Sequence, residues 1–248
     1  MHADTEMGGS RDQFPVTQPI LIRVLGLPDA CLRKQAFEGL VVAYWKPIYK
    51  YIRLRRSASN EDAKDLTQAF FARALEAGFF NDYDPAKSRF RTFIRLCVDR
   101  FVSNDAKAAG RIKRGGLINL LPLDFDAAEA EVVLHGHRAE DEEGFFHKEW
   151  IRSLFSLAVE ALRTECAVKG KETWFALFER YDLDWSEATE KRTYEQLAQE
   201  ANLSITQVSN HLAWTRRRFR EFVLENLRNF TGSEEEFQAE ARRLLGPE

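Results

Sequence analysis

Residues 193–220 read TYEQLAQEANLSITQVSNHLAWTRRRFR, a pattern of two helices joined by a tight turn. Thr193 stands where a cap opens the first helix, because its hydroxyl can accept from a backbone N–H of the first turn. The small Ala198 lets two helices cross closely. Ala201-Asn202-Leu203-Ser204 makes the turn: Asn202 tolerates a left-handed backbone and Leu203 plugs the space between the helices. Ile205 begins the second helix. At 100° per residue, Ile205, Val208, Leu212, Thr215 and Phe219 fall on one side, the expected core side. Thr206, Gln207, Asn210, Ala213, Trp214 and Arg217 fall opposite. That outer face carries amides and a hydroxyl suited to base edges, and Arg216, Arg217 and Arg218 follow for phosphates. The expected DNA-binding set is therefore Thr206, Gln207, Asn210, His211, Trp214, Arg216, Arg217 and Arg218. The plainer alternative is a helical hairpin with a solvated face; the trailing arginines favour DNA.

Working outward, the same helical period recurs. Phe37, Leu40, Val41, Tyr44, Ile48, Tyr51 and Ile52 mark a helix from about Cys31 to Arg56, which Pro47 is expected to kink or split. Asn60 is the expected N-cap of a helix over 61–77 ending at Gly78, and Phe90 to Ala109 reads as a third helix. Residues 110–144 change character. Gly115, Gly116 and Pro122 break the period, and eight acids lie between Asp124 and Glu143, so a linker is expected. Helices follow over 145–168, 174–181 and 193–230, and 234–245 reads as an amphipathic tail helix. The fold class expected is all-α: two small helical domains, 19–109 and 145–231, joined by the acidic linker 110–144. A disordered tail (1–18) precedes them and a C-terminal segment (232–248) follows.

Composition sets the outer limits. Among 248 residues, 44% are apolar and 30% charged, with nineteen Phe and five Trp to fill helical cores and only seven Pro and thirteen Gly. A net charge of −3 does not announce a nucleic-acid binder, yet local basic clusters at Arg53–Arg56, Lys107–Arg114 and Arg216–Arg220 matter more than the sum, because salt screens distant charge. Cys31, Cys97 and Cys166 are widely spaced, which predicts free thiols and neither a disulfide framework nor a zinc site. No transmembrane-length apolar run and no signal-peptide pattern occurs, so a cytoplasmic location is expected. Walker, HExxH, GxSxG and GxGxxG patterns are missing; an enzyme, a cofactor and a metal are not expected.

Two separated stretches resemble the extracytoplasmic-function sigma factors, a subfamily of the sigma-70 family. Tyr44-Trp45-Lys46-Pro47 through Asn60-Glu61-Asp62-Ala63-Lys64-Asp65-Leu66-Thr67-Gln68-Ala69-Phe70-Phe71 looks like the family's second conserved region, and Phe90-Arg91-Thr92-Phe93-Ile94 resembles its continuation, with Phe where the family has Trp. Thr193–Arg220 resembles the fourth conserved region. Lys113-Arg114-Gly115-Gly116 with Leu121-Pro122-Leu123-Asp124 looks like a long-linker branch. The resemblance implies a specificity subunit that binds core RNA polymerase, at the clamp of its largest catalytic subunit and at its flap, and directs initiation at promoter DNA.

Its residues follow. On helix 61–77, Glu61, Asp62, Asp65 and Gln68 lie opposite Ala63, Leu66, Phe70 and Ala74, and the family docks this face on arginine-rich clamp helices; carboxylates at that spacing suit bidentate Arg pairing. The helix that opens with Phe90, Arg91, Phe93 and Arg95, with Lys107, Arg111, Lys113 and Arg114 after it, would meet the melted promoter element; Phe90 and Phe93 are themselves expected in the core, and the plainer alternative for the basic cluster is a solvated turn. The acidic linker would thread the RNA path. Thr67 is a candidate phosphosite for a Ser/Thr kinase, although its helical angle puts it at the edge of the apolar side, with its methyl packed inward. An anti-sigma factor is a further partner such a protein would have. Four positions depart from the family: Ser209, His211 and Trp214 occupy positions often basic in it, and Asp99 stands where many members have Asn. The competing reading is a helix-turn-helix regulator acting without polymerase docking; the Asp62–Phe71 motif separates the two.

Overall fold

The structure, a computed structural model, describes residues 21–25, 29–105, 123–135, 141–184 and 192–246. Ten α-helices account for most of them: α1 (Leu21–Val24), α2 (Ala30–Arg55), α3 (Asn60–Ala77), α4 (Phe90–Asp105), α5 (Phe125–His135), α6 (Glu142–Val168), α7 (Glu172–Phe178), α8 (Tyr194–Ala201), α9 (Ile205–Asn229) and α10 (Glu234–Leu245). A 3-10 turn covers Phe79–Asp82, a π turn covers Glu179–Leu183, and no strand occurs among the described residues. The fold is all-α.

Local chemistry explains the helix ends. Asp29 opens α2 by accepting from the backbone N–H groups of Cys31 and Leu32 at 2.8 and 3.0 Å. Pro47 lies inside α2 without splitting it. Ser59, not Asn60, caps α3: its hydroxyl accepts from Asp62 N at 3.1 Å, while Asn60 is the first helical residue and its side-chain oxygen accepts from the Tyr49 hydroxyl at 2.8 Å. Ser and Asn are equally good caps, and the long-range bond from Tyr49 claims the asparagine. Gly78 ends α3 with φ 62, a left-handed geometry that costs glycine least.

Two apolar cores form. The larger gathers α2, α3, α4, α5, the first half of α6, the last turns of α9 and α10, with Phe37, Tyr44, Ile48, Phe70, Phe90, Phe146, Trp150 and Leu227 inside. The smaller holds Leu162, Cys166, Phe175, Phe178, Leu197, Val208 and Leu212, from the end of α6, α7, α8 and the start of α9. Helices α6 and α9 run through both and pack along each other, and α2 packs extensively on α6. Tyr44 of α2 meets Phe230, just beyond α9, with ring centroids 5.8 Å apart. Two continuous helices, α6 and α9, therefore connect the cores, while α5 in the stretch expected to link them packs within the larger one.

That stretch contributes structure of its own. Phe125, Ala128 and Val132 of α5 are buried, Phe125 edge-on to Trp45 and Tyr49 at 5.1 and 5.3 Å. Its acids meet a basic stripe on α2. Glu131 pairs with Lys46 and Lys50, and Glu129 with Arg53 at 3.0 Å. Lys50 also reaches Glu149 of α6 at 2.7 Å; both side chains are almost wholly buried. Burial raises the cost of charge on Glu129 and Glu131, yet hydrogen bonds from Tyr49 and Arg53 to the one, and from Lys46 and Lys50 to the other, hold both below the usual carboxylate range.

Helix α10 docks on the larger core through polar groups. Glu240, 1% exposed, accepts from Arg91 at 2.7 Å and from Arg89 at 2.9 Å. A Cβ at Gly232 would lie 2.0 Å from the Tyr83 hydroxyl, so this close approach of the α9–α10 turn requires glycine. Among the described residues, side-chain atoms of Arg91, His147 and Glu240 (Nε, Nδ1 and Oε2) are buried in this corner without a hydrogen-bond partner.

Candidate nucleic-acid interface

The helical pair α8–α9 is built by two reciprocal caps. The Thr193 hydroxyl accepts from Gln196 N at 3.3 Å while the Gln196 side chain accepts from Thr193 N at 2.8 Å. Ser204 and Gln207 repeat the arrangement at 3.2 and 2.8 Å. Between them Asn202 adopts φ 52, ψ 49, the left-handed geometry expected of it. Val208, Leu212 and Thr215 are buried as the helical angle predicts, while Ile205 is 48% exposed because it sits in the first turn, ahead of the crossing with α8.

The outer face divides into three kinds of residue. Thr206, Gln207, Asn210 and Arg217 are exposed, with Ser209 and Ala213 between them. Gln207 has already committed its carbonyl oxygen to the cap, leaving its amide N–H groups. His211 and Trp214 are half-buried on the flank facing α7. The His211 ring stacks on Trp174 at 4.2 Å and 16°, and Trp214 meets Trp174 edge-on at 5.2 Å. Burial and then the nearby Lys171 ammonium hold the His211 imidazole below its usual value. The Lys171 Nζ lies 3.9 Å from the ring centroids of both Trp174 and Trp214.

Two of the three arginines expected at phosphates are engaged internally. Arg216 makes a bidentate pair with Asp182 at 2.9 and 3.0 Å and reaches the Tyr194 hydroxyl at 3.2 Å. Arg218 pairs with Glu165 at 2.8 Å and with Glu221. Arg217 points away and is exposed. Helical angle assigns Arg217 outward but cannot reveal acids 34 and 53 positions away.

On α3, Glu61, Asp62 and Asp65 are exposed and Gln68 is half-buried. Lys64, one turn on, reaches Glu61 at 3.2 Å, and Asp62 accepts from the Ser59 hydroxyl at 2.7 Å. Thr67 is fully buried, its hydroxyl donating to Ala63 O at 2.7 Å. On α4, Phe90 is buried and Phe93 half-buried; Arg95 is held by Glu143 and Asp99, each at 2.9 Å, and Arg91 by Glu240. Asp99 also accepts from the Tyr51 hydroxyl at 2.8 Å and from Arg56. Lys107, Arg111, Lys113 and Arg114 lie outside the described residues.

Sequence reasoning missed Lys171, Trp174 and Asp182. The Lys-Gly-Lys at 169–171 was a usable signal, since a basic turn between two helices is rarely core; nothing local marked Asp182. Among the described residues no group of three His, Cys, Asp or Glu side chains gathers to hold a metal, and no helix is long and apolar enough to cross a membrane. No protein-family model matches the chain, and comparisons with curated proteins and with solved structures return no match.

Proposed function

We propose that the protein is a sigma factor of the extracytoplasmic-function type: it binds core RNA polymerase in the bacterial cytoplasm and directs transcription from a specific set of promoters. The observation that carries this reading is the pairing, in one chain, of an outward acidic face on α3 with a doubly capped helix-turn-helix whose outer face is polar. Glu61, Asp62 and Asp65 stand exposed beside the motif that resembles the polymerase-docking region, and Asp62 and Asp65 have no cation of this chain as partner among the described residues. Arginine-rich clamp helices are the complement such a face fits. Thr206 and Asn210 lie one turn apart on α9 with their polar groups outward, where base edges in a major groove would meet them. Arg91 and Arg95 join a melted strand only by giving up Glu240, Glu143 and Asp99, so promoter opening in this reading includes rearrangement around α4.

A helix-turn-helix regulator working without polymerase would give the α3 acids no role. Run-off transcription with core polymerase on a genomic promoter pool decides the matter, together with co-purification of the Asp62→Lys/Asp65→Lys variant. The expected result is promoter-specific transcripts with the wild-type chain. The variant should be folded by circular dichroism yet lose core-enzyme binding by about 2–5 kcal/mol. Unchanged binding by the folded variant would sink the docking assignment.

A further inference from the structure

Cations on the helix-turn-helix unit have two fates. Arg163, Lys169, Arg180, Arg192, Arg216 and Arg218 each lie within ion-pair distance of a carboxylate of this chain. Lys171 does not. Its ammonium is held 3.9 Å from two indole faces, Trp174 of α7 and Trp214 of α9, and Trp214 meets Lys169 Nζ as well, at 5.7 Å. Cation–π contact positions a lysine without neutralising it. The charge is thus fixed in direction, half-buried in its stem, and left for a partner.

The place of that charge on the unit points to the partner. His211 and Trp214 form the α7-facing flank of α9, next to the exposed stripe of Thr206, Asn210 and Arg217, and Trp174 and Lys171 form a wall against that flank. A helix with its side chains is about 10–12 Å across and the major groove about 12 Å wide, so groups flanking an inserted helix face the sugar–phosphate walls. Arg216 and Arg218 are engaged by Asp182 and Glu165. We propose that Lys171, clamped between Trp174 and Trp214, is the phosphate anchor of the helix-turn-helix on duplex DNA, supplying along one groove wall the contact that Arg216 and Arg218 do not. The inference rests on the reading that α9 enters duplex DNA, and it adds a residue from a different element. The anchor is indifferent to base sequence and sets the depth and register at which Asn210 and Thr206 are presented.

The test uses the full chain and fluorescently labelled duplexes, one selected from a random pool by the wild-type protein and one scrambled, titrated across a range of salt. Lys171→Ala should weaken both duplexes alike, by roughly three- to tenfold, and lower the slope of log affinity against log salt by about one. Lys171→Arg should keep most of the affinity and the slope. Asn210→Ala, in parallel, should lose discrimination between the duplexes without changing the slope. Circular dichroism checks that each variant is folded, and Lys171→Gln replaces Lys171→Ala if the latter is not. An unchanged slope in a folded Lys171 variant, with discrimination lost in Asn210→Ala, overturns the anchor and leaves DNA reading intact. Failure of the wild-type chain to bind any duplex at low salt overturns both.

Discussion

Two acid-rich parts of this chain look alike in sequence and end in opposite conditions. Glu61, Asp62 and Asp65 open α3 and face outward, where acids complement the helix N-terminus. Glu129, Glu131, Glu143 and Glu149 lie in or beside the acid-rich stretch that begins at Asp124, and each is paired with a cation of α2 or α4. The difference comes from what packs alongside. α5 and α6 carry apolar residues that dock on α2, which brings their carboxylates onto Lys46, Lys50 and Arg53 as a by-product of burying Phe125, Phe146 and Trp150. Among the described residues, the acids that open α3 meet one cation, Lys64 of the same helix, which pairs with Glu61. One set of acids became internal ties; the other stayed exposed.

Breaking the internal set should cost the fold. Glu149→Ala leaves the Lys50 ammonium buried with only the half-exposed Glu131 for compensation, and a loss of about 3–5 kcal/mol is expected in urea unfolding. A loss below about 1 kcal/mol would mean that the pair is hydrated and ties the fold no better than an exposed ion pair.

Acid should separate the two sets as well. His147 lies 3.6 Å from Glu240, but burial, then the Arg91 charge, push its imidazole down to about 4, so it is neutral at pH 7. A base whose folded value lies below its unfolded one, near 6.5, leaves stability intact above the unfolded value; stability falls as pH drops from there toward the folded value. Up to about 3 kcal/mol should therefore be lost between pH 6.5 and 4, and His147→Gln should flatten that part of the profile. Below it, Glu129, Glu131 and Glu143, held low by their partners, surrender their contribution as they protonate. A His147→Gln profile that superimposes on the wild type would remove His147 from the account.

Thr67 sits on α3 between the two situations. Its hydroxyl is spent on Ala63 O inside the core, and a kinase reaches it only if the helix opens. Thr67→Ala should cost about 1 kcal/mol and keep the transcription activity proposed for the chain, whereas Thr67→Glu should lose it by burying a carboxylate. The reverse pattern, Glu active and Ala inactive, would establish a phosphate switch. Comparably small should be the effect of Asp62→Lys/Asp65→Lys on stability: about 1 kcal/mol, chiefly from losing the Asp62 charge in the first turn of α3. A larger loss in thermal or urea unfolding would place those acids with the internal set.

The sequence by itself determined whatever depends on residues a few positions apart. Apolar spacing drew α2, α3 and α9 and assigned Val208, Leu212 and Thr215 inward; the Asn202 turn, the Thr193 cap and the Gly78 stop followed from side-chain chemistry alone. Four-residue relations are what a helix reads. The tertiary structure alone decided the partners of charge. Arg216 found Asp182, Lys50 found Glu149, Arg91 found Glu240, and Ser59 took the cap from Asn60 because Tyr49 claimed the asparagine. These pairs join residues up to 149 positions apart, and no local period encodes them. A cation's sequence neighbours say which way it points along a helix; only the packing of the other helices says whether an acid is waiting there or whether, as at Lys171, two tryptophans are.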